Sequence, residues 1–340
     1  MMGTRREFLL TTGASLVLGA CVETVADRTA AVEIIDRDAE SLMGRNTRLE
    51  SLADGFTWAE GPTWDRMRGC LYFTDVPENR AYRWSAEAGL EVFLDPSGVE
   101  PEHAVGLREP GANGLWYGAD GQLYVCNHGT RSLERLDLDD LSRVTLVDRF
   151  GADRFNSPND LVLSRDGRIY FTDPPYGLEG LDASPLKELP WNGVYCLEPD
   201  GRCHRLTDAM SFPNGIALSP DEAWLYVAQS DPAAPVLRRF ALNDGQVAGN
   251  GDVIFDASVY LASGDPGLPD GMAVTATGHI LMTGPGGVFL LAPDGRPLAR
   301  IRTGSATANC AFGGDGHDLY ITAQDRLMRM RLPMRGVQWS

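Results

Sequence analysis

Helical periodicity is what this chain of 340 residues most lacks. After residue 30 no stretch repeats apolar residues at helical spacing over three turns, which excludes helical bundles and helical repeat arrays. Positive charge is also short: 30 Lys and Arg stand against 47 Asp and Glu, a net charge of −17 spread along the chain. That balance argues against nucleic acid and anionic lipid surfaces as partners, and locally it favours a cation. Cysteines number only six, and none shows a metal-ligand spacing such as CxxC. Cys196 and Cys203 flank the turn Pro199-Asp200-Gly201 and could face each other across a hairpin. The plainer alternative makes Cys70, Cys126, Cys196, Cys203 and Cys310 small buried hydrophobes. No Gly-x-Ser-x-Gly elbow is present and no Cys/His pair sits in register, which speaks against a covalent serine or cysteine hydrolase. No Gly-rich loop leads from a strand into a helix, so nucleotide chemistry has no footing.

What the chain does have is a phrase repeated six times. A polar residue, usually followed by Gly, precedes a short apolar strand by ten or eleven residues. The copies are Glu60-Gly61 before 71–75, Asn113-Gly114 before 123–127, Asn159-Asp160 before 169–173, Asn214-Gly215 before 225–229, Asp270-Gly271 before 280–284, and Asn309-Cys310 before 319–323. The strands (LYFTD, LYVCN, IYFTD, LYVAQ, ILMTG, LYITA) are rich in β-branched and aromatic residues. Turn pairs such as Asp120-Gly121, Asp166-Gly167 and Asp294-Gly295 separate them. A period of 39 to 56 residues with several strands per unit predicts an all-β, six-bladed β-propeller with four-stranded blades. The last copy is short of a strand. The segment Thr47–Phe56 precedes the first copy and is expected to pair as the outer strand of the last blade, so that an N-terminal strand closes the ring and leaves no free edge.

The N-terminal segment reads differently. Arg5-Arg6 is followed by an apolar stretch too short to span a membrane, ending in Leu18-Gly19-Ala20-Cys21. Residues 1–21 are expected to be a twin-arginine, lipoprotein-type signal with Cys21 lipidated, residues 22–45 a polar tether, and residues 46–335 the propeller. A plain secretory signal and a retained anchor are the alternatives. The expected location is the periplasm, reached in the folded state, with any membrane attachment only through Cys21, as monomer or dimer.

A tight register puts Glu60, Asn113, Asn159, Asn214, Asp270 and Asn309 at one equivalent position in six stacked units, aimed at a common centre. This set holds two carboxylates and four amides, with no Lys or Arg. Two close carboxylates repel unless a proton or cation lies between them. Oxygen donors of this kind suit a hard divalent cation, Ca2+ first, with Mg2+, Mn2+ or Zn2+ open. The alternative is that the six pairs are only turns, Asn-Gly and Asp-Gly being common turn pairs; Glu60 has no such turn value.

Five segments in order, EGPTW (60–64), SPNDLV (157–162), IYFTDPPYGL (169–178), FPNGIALSPD (212–221) and LPDGMAV (268–274), resemble the SMP-30/gluconolactonase/LRE-like family over about residues 46–335. The resemblance implies a six-bladed propeller with a divalent cation in its channel and hydrolysis of sugar lactones. It implies Glu60, Asn214 and Asp270 as metal ligands, with Asn159 touching metal or substrate and counted here as the fourth ligand. His128, in Asn127-His128-Gly129, resembles a segment of bacterial gluconolactonase-like members. Asn113, His128, Asn159 and Tyr176 are the expected substrate contacts, with Trp191 and Tyr260 as further aromatic candidates; simple loop anchoring is the alternative for all three aromatics. In the expected mechanism the cation polarises the lactone carbonyl and water attacks with Asp270 as general base. Glu60 as base and Asp270 as nucleophile are variants. A phosphotriesterase or arylesterase on the same site, and a non-catalytic binding propeller, are the competing functions.

Overall fold

Each repeat folds as one antiparallel sheet in the computed structural model, which describes residues 32–44 and 47–339. Blade 1 comprises Ala59–Asp65, Cys70–Asp75, Arg80–Ser85 and Gly89–Leu94. Blade 2 comprises Ala112–Tyr117, Leu123–Asn127, Ser132–Leu136 and Arg143–Val147. Blade 3 comprises Leu161–Leu163, Ile169–Asp173, Gly193–Leu197 and Cys203–Thr207. Blade 4 comprises Pro213–Leu218, Trp224–Gln229, Val236–Asn243 and Gln246–Asp256. Blade 5 comprises Met272–Val274, Ile280–Gly284, Gly287–Leu291 and Pro297–Arg302. Blade 6 comprises Asn309–Gly313, Asp318–Ala323, Arg326–Arg331 and, from the other end of the chain, Leu49–Asp54. The first strand of each blade touches the first strand of the next, and blade 6 touches blade 1, so the ring closes. The molecule is a six-bladed β-propeller.

The core is divided into seams. Six apolar clusters of buried residues occupy the six interfaces between neighbouring blades. The second strand of each blade serves two of them at once, because successive side chains leave a strand on opposite faces. In blade 1, Leu71 and Phe73 enter the seam with blade 6 while Cys70 and Tyr72 enter the seam with blade 2. That is why these strands read as nearly continuous apolar runs.

Closure follows the expected course. Leu49–Asp54 runs antiparallel to Arg326–Arg331, from Leu49 opposite Met330 to Asp54 opposite Arg326. Phe56 then packs edge-on to Phe73 and Tyr82, each with its ring centre 5.1 Å away.

One expectation is corrected. Residues 32–44 are not a free tether. Val32–Ile34 adds a fifth strand to blade 5, with Val32 opposite Ile301, and Ala39–Met43 forms a short helix. Its Ala39 and Met43, four residues apart and so on one helical face, are buried in the seam between blades 5 and 6. Glu33 meets Arg300 at 2.7 Å and fixes the strand's position. The remainder of the tether before residue 32, and the signal segment with Cys21, lie outside the described residues. For sulfur the plainer alternative holds: the five described cysteines are all free, four of them buried and Cys203 half-buried. Cys203 lies opposite Leu197, and Cys196 opposite His204. One residue of offset points the two thiols to opposite faces of the sheet.

Candidate active site at the hub

The six polar residues all stand at the head of their blade's innermost strand. Local backbone geometry explains the recurrent glycine. Pairing with the second strand slips between Glu60 and Thr63, between Ala112 and Leu115, and between Pro213 and Ile216. A β-bulge of this kind re-aims a side chain, and here it turns Glu60, Asn113 and Asn214 inward. The glycine that follows lets the next blade approach. A Cβ on Gly61 would lie 2.1 Å from the Asn113 carbonyl oxygen, and one on Gly215 would lie 2.1 Å from that of Asp270. Strand threonines fasten the same junctions: the Thr74 hydroxyl donates to Asn113 O at 3.1 Å, and Thr172 donates to Asn214 O at 2.7 Å.

Three of the amides are joined directly. Asn113 Nδ2 donates to Asn159 Oδ1 at 2.9 Å, and Asn159 Nδ2 donates to Asn214 Oδ1 at 2.5 Å. Asn214 Nδ2 donates to Ser230 Oγ at 2.8 Å, which donates to Pro269 O at 2.6 Å, the residue before Asp270. Glu60 is buried; its carboxylate accepts from Gly61 N at 3.0 Å and from the Trp58 indole at 3.3 Å. Asp270 is partly buried. Asn309 turns aside: its Oδ1 accepts from Cys310 N at 2.8 Å.

The hub is strongly electronegative. Burial pushes the Glu60 carboxyl up to about 8, with the charges of Asp160 and Glu109 adding and the Gly61 N–H opposing. Burial also pushes Asp270 well above the usual carboxylate range, helped by the charges of Glu60, Asp160 and Glu109. Asp160, buried just inside the ring, is pushed up to about 7 by burial, although Leu161 N and Ile216 N donate to it at 2.9 and 3.3 Å. Among the described residues neither Glu60 nor Asp270 has an ion-pair partner, and no three His, Cys, Asp or Glu side chains gather as a metal cluster. Two desolvated carboxylates with amide oxygens beside them and no protein cation form a donor set that fits a hard divalent ion.

Beyond the ring the channel holds a cavity of about 190 Å³, lined by Leu115, Trp116, Asp160, Ile216 and Cys310 and reached by Val337 and Gln338 of the C-terminal segment.

Of the aromatic candidates, Tyr176 stacks on Phe212 at 5.9 Å, and its hydroxyl is enclosed. Burial, with the charge of Asp270, pushes its phenol up. Trp191 and Tyr260 are anchored away from the hub. The Trp191 indole donates to Tyr195 OH at 2.8 Å, and Tyr260 lies 4.7 Å from the Phe289 ring. His128 is fully buried against the ring, its Nε2 3.3 Å from Asn113 Nδ2 and its Nδ1 3.4 Å from Glu109 Oε2.

Sequence reasoning passed over the residues that hold these groups. Asp75 accepts from Thr57 N and Trp58 N, just before Glu60; Asp173 accepts from Asn156 N and Ser157 N, just before Asn159. Gln229 plays the same part for Ser211 N ahead of Asn214. The signal was available: each is the polar residue that ends the second strand of its blade.

The sequence pattern described as the SMP-30/Gluconolactonase/LRE-like region matches residues 58–325. The chain belongs to this family. It is 40% identical over 296 residues to a gluconolactonase of Zymomonas mobilis, spanning 86% of this chain and 83% of that one. It is 27% identical over 277 residues to rabbit regucalcin, spanning 79% and 84%. Among solved structures, a gluconolactonase of Xanthomonas campestris superposes with a TM-score of 0.76 at 33% identity, covering 89% of this chain and 95% of the other. A calcium-binding regucalcin from Agrobacterium tumefaciens, 19% identical with a TM-score of 0.66, shares the fold.

Proposed function

We propose that this protein is a divalent-cation-dependent hydrolase of sugar lactones, with Glu60, Asn159, Asn214 and Asp270 holding the cation and Asp270 acting as general base. A lactone hydrolase of the gluconolactonase type is what the family and its 40% identical relative support. The observation that carries the cation is the pair of desolvated carboxylates, buried Glu60 and partly buried Asp270, both raised and neither with a protein counter-charge among the described residues.

A cation at the hub would polarise the lactone carbonyl and steady the negative charge that grows on its oxygen. The protein's own groups supply the rest. The Asn113–Asn159–Asn214 chain fixes the amides. Asp270, at the partly exposed edge of the ring, takes a proton from the attacking water as the water oxygen bonds to the carbonyl carbon. The acyl C–O bond of the ring then breaks, and the departing ring oxygen takes up that proton to give the open hydroxy acid. Tyr176 and Asn113 are the proposed sugar contacts, with His128 buried behind Asn113, and Ca2+ is the first choice of ion. On the twin-arginine pair and Cys21 we rest a further part of the proposal: export in the folded state to the periplasm, with lipid attachment.

The test is hydrolysis of a lactone panel by chelator-treated protein, with Ca2+, Mg2+, Mn2+ and Zn2+ restored one at a time. Activity should vanish on chelation and return with at least one ion. Asp270→Asn should lower kcat at least 100-fold, the upper part of the range for general-base loss being about 10⁴, while the protein stays folded. Full activity after chelation removes the cation, and full activity in the variant removes Asp270 as base.

A further inference from the structure

The amide chain at the hub has a direction, and something must set it. A side-chain amide can be turned end for end with little change in shape, exchanging its oxygen for its NH2. In the observed order each Nδ2 donates forward: Asn113 to Asn159, Asn159 to Asn214, and Asn214 to Ser230. Turning any one amide would set two donors or two acceptors face to face. The far end is anchored at the Pro269 carbonyl, which can only accept. The near end abuts His128, whose Nε2 lies 3.3 Å from Asn113 Nδ2.

That contact is favourable in one arrangement only. Nε2 must carry a lone pair, and the ring proton must sit on Nδ1. Nδ1 makes no hydrogen bond in this geometry but lies 3.4 Å from Glu109 Oε2, and a carboxylate at that distance attracts an N–H and repels a lone pair. The imidazole is fully buried, so no solvent is at hand to satisfy the wrong tautomer. Both partners are held in place by one turn. Gly177 O accepts from Arg108 N at 2.9 Å and from Glu109 N at 3.4 Å, and a Cβ on Gly177 would lie 2.8 Å from His128 Cβ. Ser157 locks that turn by donating to Pro174 O at 2.6 Å and accepting from Gly177 N at 2.9 Å.

We infer that Glu109 and His128 are positioning residues that set the orientation of the hub amides. Glu109 holds the Nδ1–H tautomer of His128. His128 Nε2 then claims one hydrogen of Asn113 Nδ2 while Asn159 takes the other, and no described residue donates to Asn113 Oδ1. The oxygens of Asn159 and Asn214 each accept one neighbouring hydrogen and keep a second lone pair for a ligand. With the opposite tautomer, an N–H would point at Asn113 Nδ2, and relieving it would turn Asn113, then Asn159, then Asn214. Groups behind metal ligands commonly change metal affinity 10- to 100-fold when removed.

This inference rests on the cation reading of the hub, and its test separates the two. A long-range 15N–1H spectrum of the wild-type protein at pH 8 should show His128 protonated on Nδ1 alone. An Nε2–H tautomer or a doubly protonated ring overturns the inference whether or not a cation binds. Calorimetry with Ca2+ on metal-stripped protein gives the second readout. His128→Leu should bind about 10- to 100-fold more weakly than wild type. His128→Gln, whose amide oxygen can accept in place of Nε2, should recover most of that loss. Wild-type affinity in His128→Leu, or a His128→Gln variant as weak as His128→Leu, overturns the inference. Failure of the wild type itself to bind any divalent ion would instead remove the cation reading.

Discussion

At the scale of single residues the hub trades stability for convergence. Six strand heads meet around one axis, and they come so close that four of the six following residues are glycine. Gly215 shows the constraint well. Its neighbour across the seam is backbone, the Asp270 carbonyl, with an added Cβ only 2.1 Å from the oxygen. A flexible side chain could swing aside, but a carbonyl in the ring cannot move without shifting Asp270. Overpacking a tight interior costs about 1–3 kcal/mol where neighbours can give, and here they cannot. Gly215→Ala should therefore lose about 3 kcal/mol or more of stability, seen as a lower midpoint in urea. Lactone hydrolysis should fall with it even in the fraction that stays folded. A variant with wild-type midpoint and activity would mean that the seam is looser than this spacing indicates. The same tightness explains why Asp75 and Asp173 stayed hidden in the sequence. Each reads as the polar end of a strand, and only the fold shows that it reaches back to the two N–H groups that lead into Glu60 and Asn159.

At the scale of strands, legibility followed periodicity. The second strand of each blade announces itself because both of its faces are buried in seams. The innermost strands were located through their polar heads. The closing strand Leu49–Asp54 was found by counting, since blade 6 lacked a partner and no other segment was free. Val32–Ile34 and Ala39–Met43 escaped because three and five residues are too short to show a period, and the charges around them suggested solvent. Those charges are in fact paired, Glu33 with Arg300 and Asp38 with Arg296 at 3.1 Å. The two N-terminal pieces differ in consequence. Val32–Ile34 only adds to the outer edge of a complete blade. Leu49–Asp54 completes one, and the residues after it place Phe56 in the seam between blades 6 and 1. Deleting residues 46–56 would bare the edge of Arg326–Arg331 and remove Phe56, worth about 1.5–3 kcal/mol by burial alone, from the joint that closes the ring. The expected outcome is a chain with no cooperative thermal transition and strong aggregation. Deleting residues 1–35 should lower the melting temperature by only a few degrees, because the four-stranded blade 5 remains. Equal melting of the 46–56 deletion and the full chain would contradict closure by this strand.

At the scale of the whole molecule, the architecture gathers acids where water is scarce, and that ties stability to pH and to cations. The gathering was legible in the sequence for Glu60 and Asp270, whose register gave them away. Asp160 was not, because it occupies the place where four of the other five repeats carry Gly; nor was Glu109, which reaches the hub from an irregular connection with no repeat to mark it. The energetic consequence has a definite sign. Glu60 ionises at about 8 in the folded chain against an ordinary value of 4.5, and Asp160 and Asp173 ionise at about 7 against 3.8. Asp270 is shifted in the same direction. Across the window from roughly pH 4 to 8 the folded state therefore holds more protons than the unfolded chain, and by linkage the metal-free protein loses stability as pH rises through that window. A divalent ion bound at the hub as proposed would work against this trend, since it would bind the ionised carboxylates and displace their protons. At 100 times its dissociation constant a ligand adds about 2.7 kcal/mol, and that dissociation constant should tighten as pH rises. Calorimetric scans with chelator should thus show a melting temperature that falls from pH 5.5 to pH 8. Scans with excess Ca2+ should show a gain over chelator that is small at pH 5.5 and reaches several degrees at pH 8. Binding at pH 7 should release protons, measurable as a heat of binding that changes with the ionisation enthalpy of the buffer. A cation-induced gain that is the same at both pH values, with no proton release, would mean that the ion sits away from Glu60 and Asp270.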